Sequence, residues 1–209
     1  VSSWQVYKAL SEIKFLSGKL ENIPDEGTIA PASYDFVIGM TKETLIKKMQ
    51  ERQASILNEA WNARQPNLPI NTKQEALILA SIIEKETSLK TERGKVSSVF
   101  VNRLLREIAL QTDASVVYGI TKGKKILGRG LRRSELKKDT PWNTYVNKGL
   151  PPSPIGNPGK ASIHAALNPD ITNYLYFVAD GSGGHAFAEN LREHNINVAK
   201  WRKIEKTDN

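Results

Sequence analysis

A chain of 209 residues, 39% hydrophobic and 25% charged, has the composition of a soluble globular protein and the length for one large domain, or one domain with a small appendage. Lys and Arg number 30 against 22 Asp and Glu, and the resulting +8 favours polyanionic partners: nucleic acid, an anionic membrane face, or an acidic polymer such as a cell-wall glycan carrying carboxylated peptides. The absence of cysteine excludes a disulfide framework and a thiolate metal site. No run of about 18 apolar residues occurs, and the opening VSSWQVYKAL lacks signal-peptide organisation, so an abrupt fragment with its anchor upstream is expected.

Residues 3 to 17 are predicted helical, with Trp4, Ala9, Leu10, Ile13 and Leu16 at helical spacing and Gly18 placed to end the helix. Residues 23 to 36, IPDEGTIAPASYDF, read as irregular or edge-strand structure linking a small N-terminal piece to the rest. Thr41 is placed to cap a long helix to about Arg64, with Leu45, Met49, Ile56, Leu57 and Trp61 inward and Lys47, Lys48, Glu51 and Arg52 facing water. After the Pro66 to Pro69 break, residues 71 to 90 read as one buried helix that starts with a Thr72 and Glu75 capping box.

Thr91 is placed to cap the next helix, residues 91 to 110, whose core stripe is Val96, Val99, Phe100, Leu104 and Ile108. The two helices form a hairpin with Glu86 near its turn. Asp113 is a preferred N-cap for a short helix ending at Gly119. Residues 121 to 133 are rich in Lys, Arg and Gly with no aromatic interleaved, which suits a mobile basic hairpin or loop better than a nucleic-acid surface. The proline-rich stretch from Thr140 to Pro169 reads as a rigid cleft wall. A strand at 174 to 179, a turn on Gly181, Gly183 and Gly184, and a return strand from His185 to Phe187 precede an amphipathic helix from Glu189 to Lys206, closing on Leu191, Val198 and Trp201. The expected fold class is α+β, helix-rich with a small antiparallel sheet.

One residue stands against this pattern. At about 100° per residue, Leu79, Ile82, Ile83, Ala76 and Ile78 fall within about 80° of Glu86, while Glu84 lies about 160° away beside Leu77, Ala80, Ser81 and Ser88. A carboxylate in an apolar stripe has its pKa raised, as a general acid requires. The alternatives are pairing with a buried Arg or Lys, or escape to solvent at the helix end.

Taken in order, ASIIEKET, VFVNRL, LQTD, Tyr118-Gly119, NTY, GLPPSPIGNPG, AALNP, YLYFVADGSGGHAF and EHN resemble the YceG-like family of MltG-type endolytic murein transglycosylases, from about Glu75 to Trp201. PDEGTIAPASYDF is a weaker echo ahead of them, with Pro31-Ala-Ser-Tyr34 where the family more often has Pro-Asp-Thr-Tyr. The resemblance implies an envelope enzyme that cuts peptidoglycan glycan strands between N-acetylmuramic acid and N-acetylglucosamine, without cofactor or metal. It further implies an N-terminal anchor on the extracytoplasmic face of the inner membrane, with peptidoglycan synthases as candidate partners and no nucleic acid. Residues 1 to 38 would end a LysM-like subdomain and 39 to 209 form the catalytic domain.

The family's catalytic Glu is similar to Glu86, which precedes Thr as in other lytic transglycosylases; Glu84 is the rival. Gln111 and Thr112 either hydrogen-bond acetamido groups or close a turn, and Asp113 either caps a helix or contacts substrate. Asn143 and Tyr145 are candidates to orient the acetamido group or the charge developing at C1. His185 and Asn195 either line the cleft or serve turn and capping roles. The three histidines lack metal-ligand spacing. Two carboxylates would permit hydrolysis, whereas one Glu suffices when the sugar's own C6 hydroxyl attacks. A hydrolytic muramidase, a non-catalytic peptidoglycan-binding module and a basic nucleic-acid-binding protein are the competing readings.

Overall fold

Side-chain oxygens fix where the first three helices begin. In the computed structural model, which describes residues 1 to 207, Ser2 and Gln5 exchange capping bonds ahead of α1 (Ser3–Glu12). Asp208 and Asn209, the end of the catalytic domain expected from sequence, lie outside the described residues. Thr41 accepts from Thr44 N–H ahead of α2 (Lys42–Asn62), and Thr72 and Glu75 form the expected capping box ahead of α3 (Lys73–Glu86). Then follow α4 (Arg93–Leu105), α5 (Asp113–Thr121), α6 (Arg133–Lys137) and α7 (Lys160–Leu167). The chain closes with β1 (Tyr176–Ala179), β2 (His185–Ala188) and α8 (Leu191–Thr207).

This is an α+β fold with α3 at its centre, packed by α2, α4, α5 and α7. Every residue from Ala76 to Ile83 is buried. On the face that carries Glu84, the polar side chains Ser81 and Glu84 are engaged in hydrogen bonds to the segments packed against the helix. Ser81 Oγ donates to Ile78 O and accepts from Ile155 N–H, tying the proline-rich wall to the helix. Glu84 accepts from Gly159 N–H at 3.1 Å and Ser162 Oγ at 2.5 Å, supplying the N-terminal cap that Gly159 cannot give α7.

Several boundaries differ from expectation: α4 ends at Leu105 rather than residue 110, and the stretch expected as an irregular wall carries α7. Helix α1 stops at Glu12 rather than residue 17, because Ser17 bonds instead to Met40 and Lys42; Leu16 and Leu20 still bury from this irregular segment, against Leu45 and Ile46 of α2. Helix α3 ends at Glu86, not residue 90: Thr87 turns extended, with its hydroxyl accepting from Leu89 N–H. Thr91 caps nothing. The N-cap position of α4 is Glu92, without a side-chain cap, because its carboxylate reaches β2, accepting from His185 N–H and lying 2.7 Å from His185 Nδ1.

The sheet is a two-stranded antiparallel hairpin in which Phe177 faces Phe187 and Ala179 faces His185. Gly181 and Gly183 hold positive φ in its turn. Helix α8 packs on the hairpin, and Phe177 meets Phe100 of α4 edge to face, joining the sheet to the main core. Glu84→Ala removes the cap of α7 and leaves the part-buried Gly159 N–H and Ser162 hydroxyl without their acceptor. It is expected to cost about 1–2 kcal/mol of unfolding free energy, read by denaturant titration; an unchanged midpoint would deny Glu84 its capping role.

Candidate active site

Because α3 ends where it does, Glu86 is the last helical residue and its carboxyl opens into a cavity of about 530 Å³. Across it, the 110 to 113 segment brings Leu110, Gln111, Thr112 and Asp113; Tyr145 comes from the proline-rich wall, Tyr176, Phe177 and Val178 from β1, and Leu191, His194 and Val198 from α8. Thr112 Oγ1 donates to Glu86 Oε1. Burial raises the Glu86 pKa above the ordinary carboxyl range, offset in part by the Thr112 bond; the Asp113 charge raises it further and the nearby His185 lowers it. Asp113 itself is engaged: Tyr145 Oη donates to its Oδ1 at 2.6 Å. Burial and this bond raise the Tyr145 pKa, so its hydroxyl stays protonated.

Thr144 holds this arrangement in register. Its carbonyl accepts from Gln111 N–H, and its hydroxyl accepts from Thr112 N–H and bonds Ser115 Oγ. Gln111 keeps a left-handed backbone, φ 53°, that a non-glycine residue holds only where neighbours impose it. Arg103 supplies the second clamp. Buried at 7% exposure, it donates to the carbonyls of Ala109, Leu110 and Leu175, joining the loop before α5 to the start of the hairpin. Its guanidinium lies 5.1 Å from the Tyr176 ring centroid, and Tyr176 stacks on His194 at 5.0 Å. Burial, reinforced by Arg103, lowers the His194 pKa and keeps that ring neutral near pH 7.

Five of the residues selected from sequence meet in the cavity: Glu86, Gln111, Thr112, Asp113 and Tyr145. Three do not. Asn143 is fully buried behind the wall; its Nδ2 lies within 3.3 Å of the carbonyls of Glu135, Leu136 and Lys138, and its Oδ1 accepts from Tyr145 N–H, so its amide is not free to meet an acetamido group. His185 faces Glu92 and reaches Glu86 only through its charge. Asn195 is exposed on α8, one residue from the His194 that does line the cavity. Asp113 begins α5 as its first residue, with Thr112 at the cap position, so the expected capping role gives way to the Tyr145 bond. Sequence reasoning passed over Arg103, Tyr176 and His194. For His194 a signal existed: Leu191, His194 and Val198 share one helical face. Glu84, the rival acid, points away into the α7 cap. Among the described residues no group of three or more His, Asp or Glu could hold a metal ion.

The family model of the YceG-like family matches residues 1–200. The chain belongs to the YceG-like family. This YceG-like chain is 39% identical over 179 residues to an endolytic murein transglycosylase of Bacillus subtilis, covering 85% of this chain and 48% of that protein. It is 34% identical over 182 residues to an endolytic murein transglycosylase of Streptococcus pneumoniae, covering 84% of this chain and 32% of that one. A crystal structure of a yceG-like protein from Listeria monocytogenes matches with a TM-score of 0.68 at 31% identity, covering 93% of this chain and 61% of that one. The YceG-like chain thus spans half or less of the length of these curated relatives.

Two outcomes follow for the YceG-like site. Asn143→Ala strips three part-buried carbonyls of a donor and frees the Tyr145 backbone, an expected loss of about 1–3 kcal/mol in denaturant unfolding. For Glu86, the raised folded pKa means that the folded chain keeps its proton over a pH interval in which the unfolded chain has lost it. The stability owed to this group is complete below the unfolded pKa, about 4.3, and is lost as pH rises through the raised value. Glu86→Gln is therefore expected to be more stable than the native chain at neutral pH, with the gap closing in acid. Melting temperatures across a pH series check this; a gap that ignores pH contradicts it.

Proposed function

We propose that this chain carries the catalytic part of an endolytic lytic transglycosylase that cleaves the glycosidic bond between N-acetylmuramic acid and N-acetylglucosamine in peptidoglycan strands, leaving 1,6-anhydro ends. The observation that carries the proposal is the Glu86 carboxyl, half-buried at the wall of an open cavity with its pKa raised by desolvation. The names of the relatives, endolytic murein transglycosylases, support the same substrate class.

In this reading Glu86, protonated, gives its proton to the departing glycosidic oxygen. As a carboxylate it then takes the proton of the C6 hydroxyl that attacks the anomeric carbon, so one group serves as acid and base and no water is consumed. Thr112, whose hydroxyl bonds Glu86 Oε1, steadies the carboxylate form between the two half-reactions. Tyr145 keeps Asp113 occupied, while the Asp113 charge favours the protonated acid and the positive character developing at C1. Gln111, exposed at the cavity edge with its backbone clamped, is suited to bind an acetamido group.

The placement of Asp113 favours one second reading, a hydrolytic muramidase with two carboxyl groups at the cleavage point. Residues 1–38 are read as the end of a LysM-like subdomain and the rest as the catalytic domain, acting at the extracytoplasmic face of the envelope. No helix among the described residues is long and apolar enough to cross a membrane.

Purified glycan strands digested with the native chain and with Glu86→Gln test the proposal. Loss of the acid is expected to cost about 10²- to 10⁴-fold in rate. Native activity is expected to fall as pH rises through the elevated Glu86 pKa, where the acid form is lost. Products whose summed mass equals that of the substrate identify transglycosylation; each cut that adds a water identifies hydrolysis. Full activity in Glu86→Gln removes the mechanism.

A further inference from the structure

The two elements that wall the Glu86 cavity on one side also border a second, separate cavity. Along α8, Leu191, His194 and Val198 line the first cavity and Trp201 lines a second, of about 220 Å³. These residues stand at i, i+3, i+7 and i+10, on one helical face, and ten residues of helix span about 15 Å. Strand β1 borders both spaces from the other side: Tyr176, Phe177 and Val178 face the first, and Ala179 the second. One helix face and one strand therefore contribute to both cavities.

The second cavity is lined by an indole and by almost bare backbone. Besides Trp201, Ala179 and His185, its lining is Gly181, Gly183 and Gly184. Gly183 is exposed, with φ +88° and open space where a Cβ would point. A side chain at Gly184 would collide with Glu92 Oε1, the oxygen that accepts from His185 N–H and holds the hairpin down. A half-buried indole offers a flat apolar surface with one N–H, and the turn adds the exposed backbone of Gly183, while Ile204 covers Gly181 and the Gly184 carbonyl already accepts from Asp180 N–H. A pyranose ring needs both: its C–H face lies on an aromatic plane, and its acetamido and hydroxyl groups take hydrogen bonds.

We propose that the cavity formed by Trp201 and the Gly181–Gly184 turn is a further sugar subsite, taking an N-acetylhexosamine ring of the same strand beyond the pair at the cleavage point. It deepens the proposed function and rests on it for the identity of the strand. An enzyme that cuts within a chain must hold rings beyond the pair it separates, and this extension holds one.

The test uses chitohexaose as probe with the native chain, Trp201→Ala and Trp201→Phe. By calorimetry, Trp201→Ala is expected to bind the hexamer at least fivefold more weakly and Trp201→Phe within about twofold of native. Equal affinity in all three overturns the subsite. In ¹⁵N spectra of the native chain, the Trp201 indole N–H signal, assigned by its loss in Trp201→Phe, is expected to shift on adding hexamer. This readout does not require Trp201→Ala to fold; a signal unmoved at high hexamer concentration also overturns the subsite. On long glycan strands Trp201→Ala is expected to raise KM with kcat near native, whereas Glu86→Gln loses kcat. A native chain that cleaves no strand but shifts its indole signal rejects the glycan-cleaving activity and upholds the sugar site.

Discussion

A carboxyl group removed from water on the apolar helix of the core is the constraint around which the rest is arranged. Glu86 could have escaped: it sits at the last residue of α3, and one more turn of helix would have carried the chain away from the cavity. Thr87 ends the helix by turning extended, and the elements that follow return to enclose the side chain just released. Burial disfavours its charge, and the enclosure supplies no cation in direct contact to restore it. His185, whose charge lowers the Glu86 pKa, is itself paired with Glu92.

Around that group the protein uses buried polar side chains as fasteners. Arg103 ties the loop before α5 to β1, Thr144 ties it to the proline-rich wall, and Asn143 ties that wall to the end of α6. Each is nearly or wholly inaccessible and saturated with backbone partners. Such groups are costly to bury and more costly to leave half-satisfied, so they favour one arrangement over slightly shifted ones. Rigid placement matters here because a proton donor is effective only within hydrogen-bonding reach of its acceptor.

Much of the fold was legible because it follows from local rules. Thr41, Thr72 and Glu75 announced their helices, and the aromatic run from Tyr174 with its glycine turn announced the hairpin. The place of Glu86 on an apolar face was readable from spacing alone. Periodicity is silent where tertiary contacts decide the outcome. It gave α3 a more polar face, but Ser81 and Glu84 have partners far along the chain that no local pattern discloses. Asn143 was a candidate through the NTY motif, which does not disclose that its amide is satisfied by carbonyls at the end of α6. Arg103 lay inside an apolar stripe, and only the folded chain brings it to the carbonyls of residues 109, 110 and 175.

The Asn143 fastening has a consequence for the basic excursion between Thr121 and Lys138. Its outgoing end is fixed where Lys122 closes α5 and lies over the Trp142 ring, and its returning end where the Asn143 amide grips the Lys138 carbonyl. Between those moorings the closure entropy of a loop grows only slowly with length, about 0.6 kcal/mol for each doubling. Additional residues placed near Gly128 or Gly130, where a Cβ meets nothing within 4 Å, would lengthen the excursion without transmitting strain to the groove. That makes this stretch the natural point at which a lineage, or an engineer, could graft a new module beside an unchanged reaction centre.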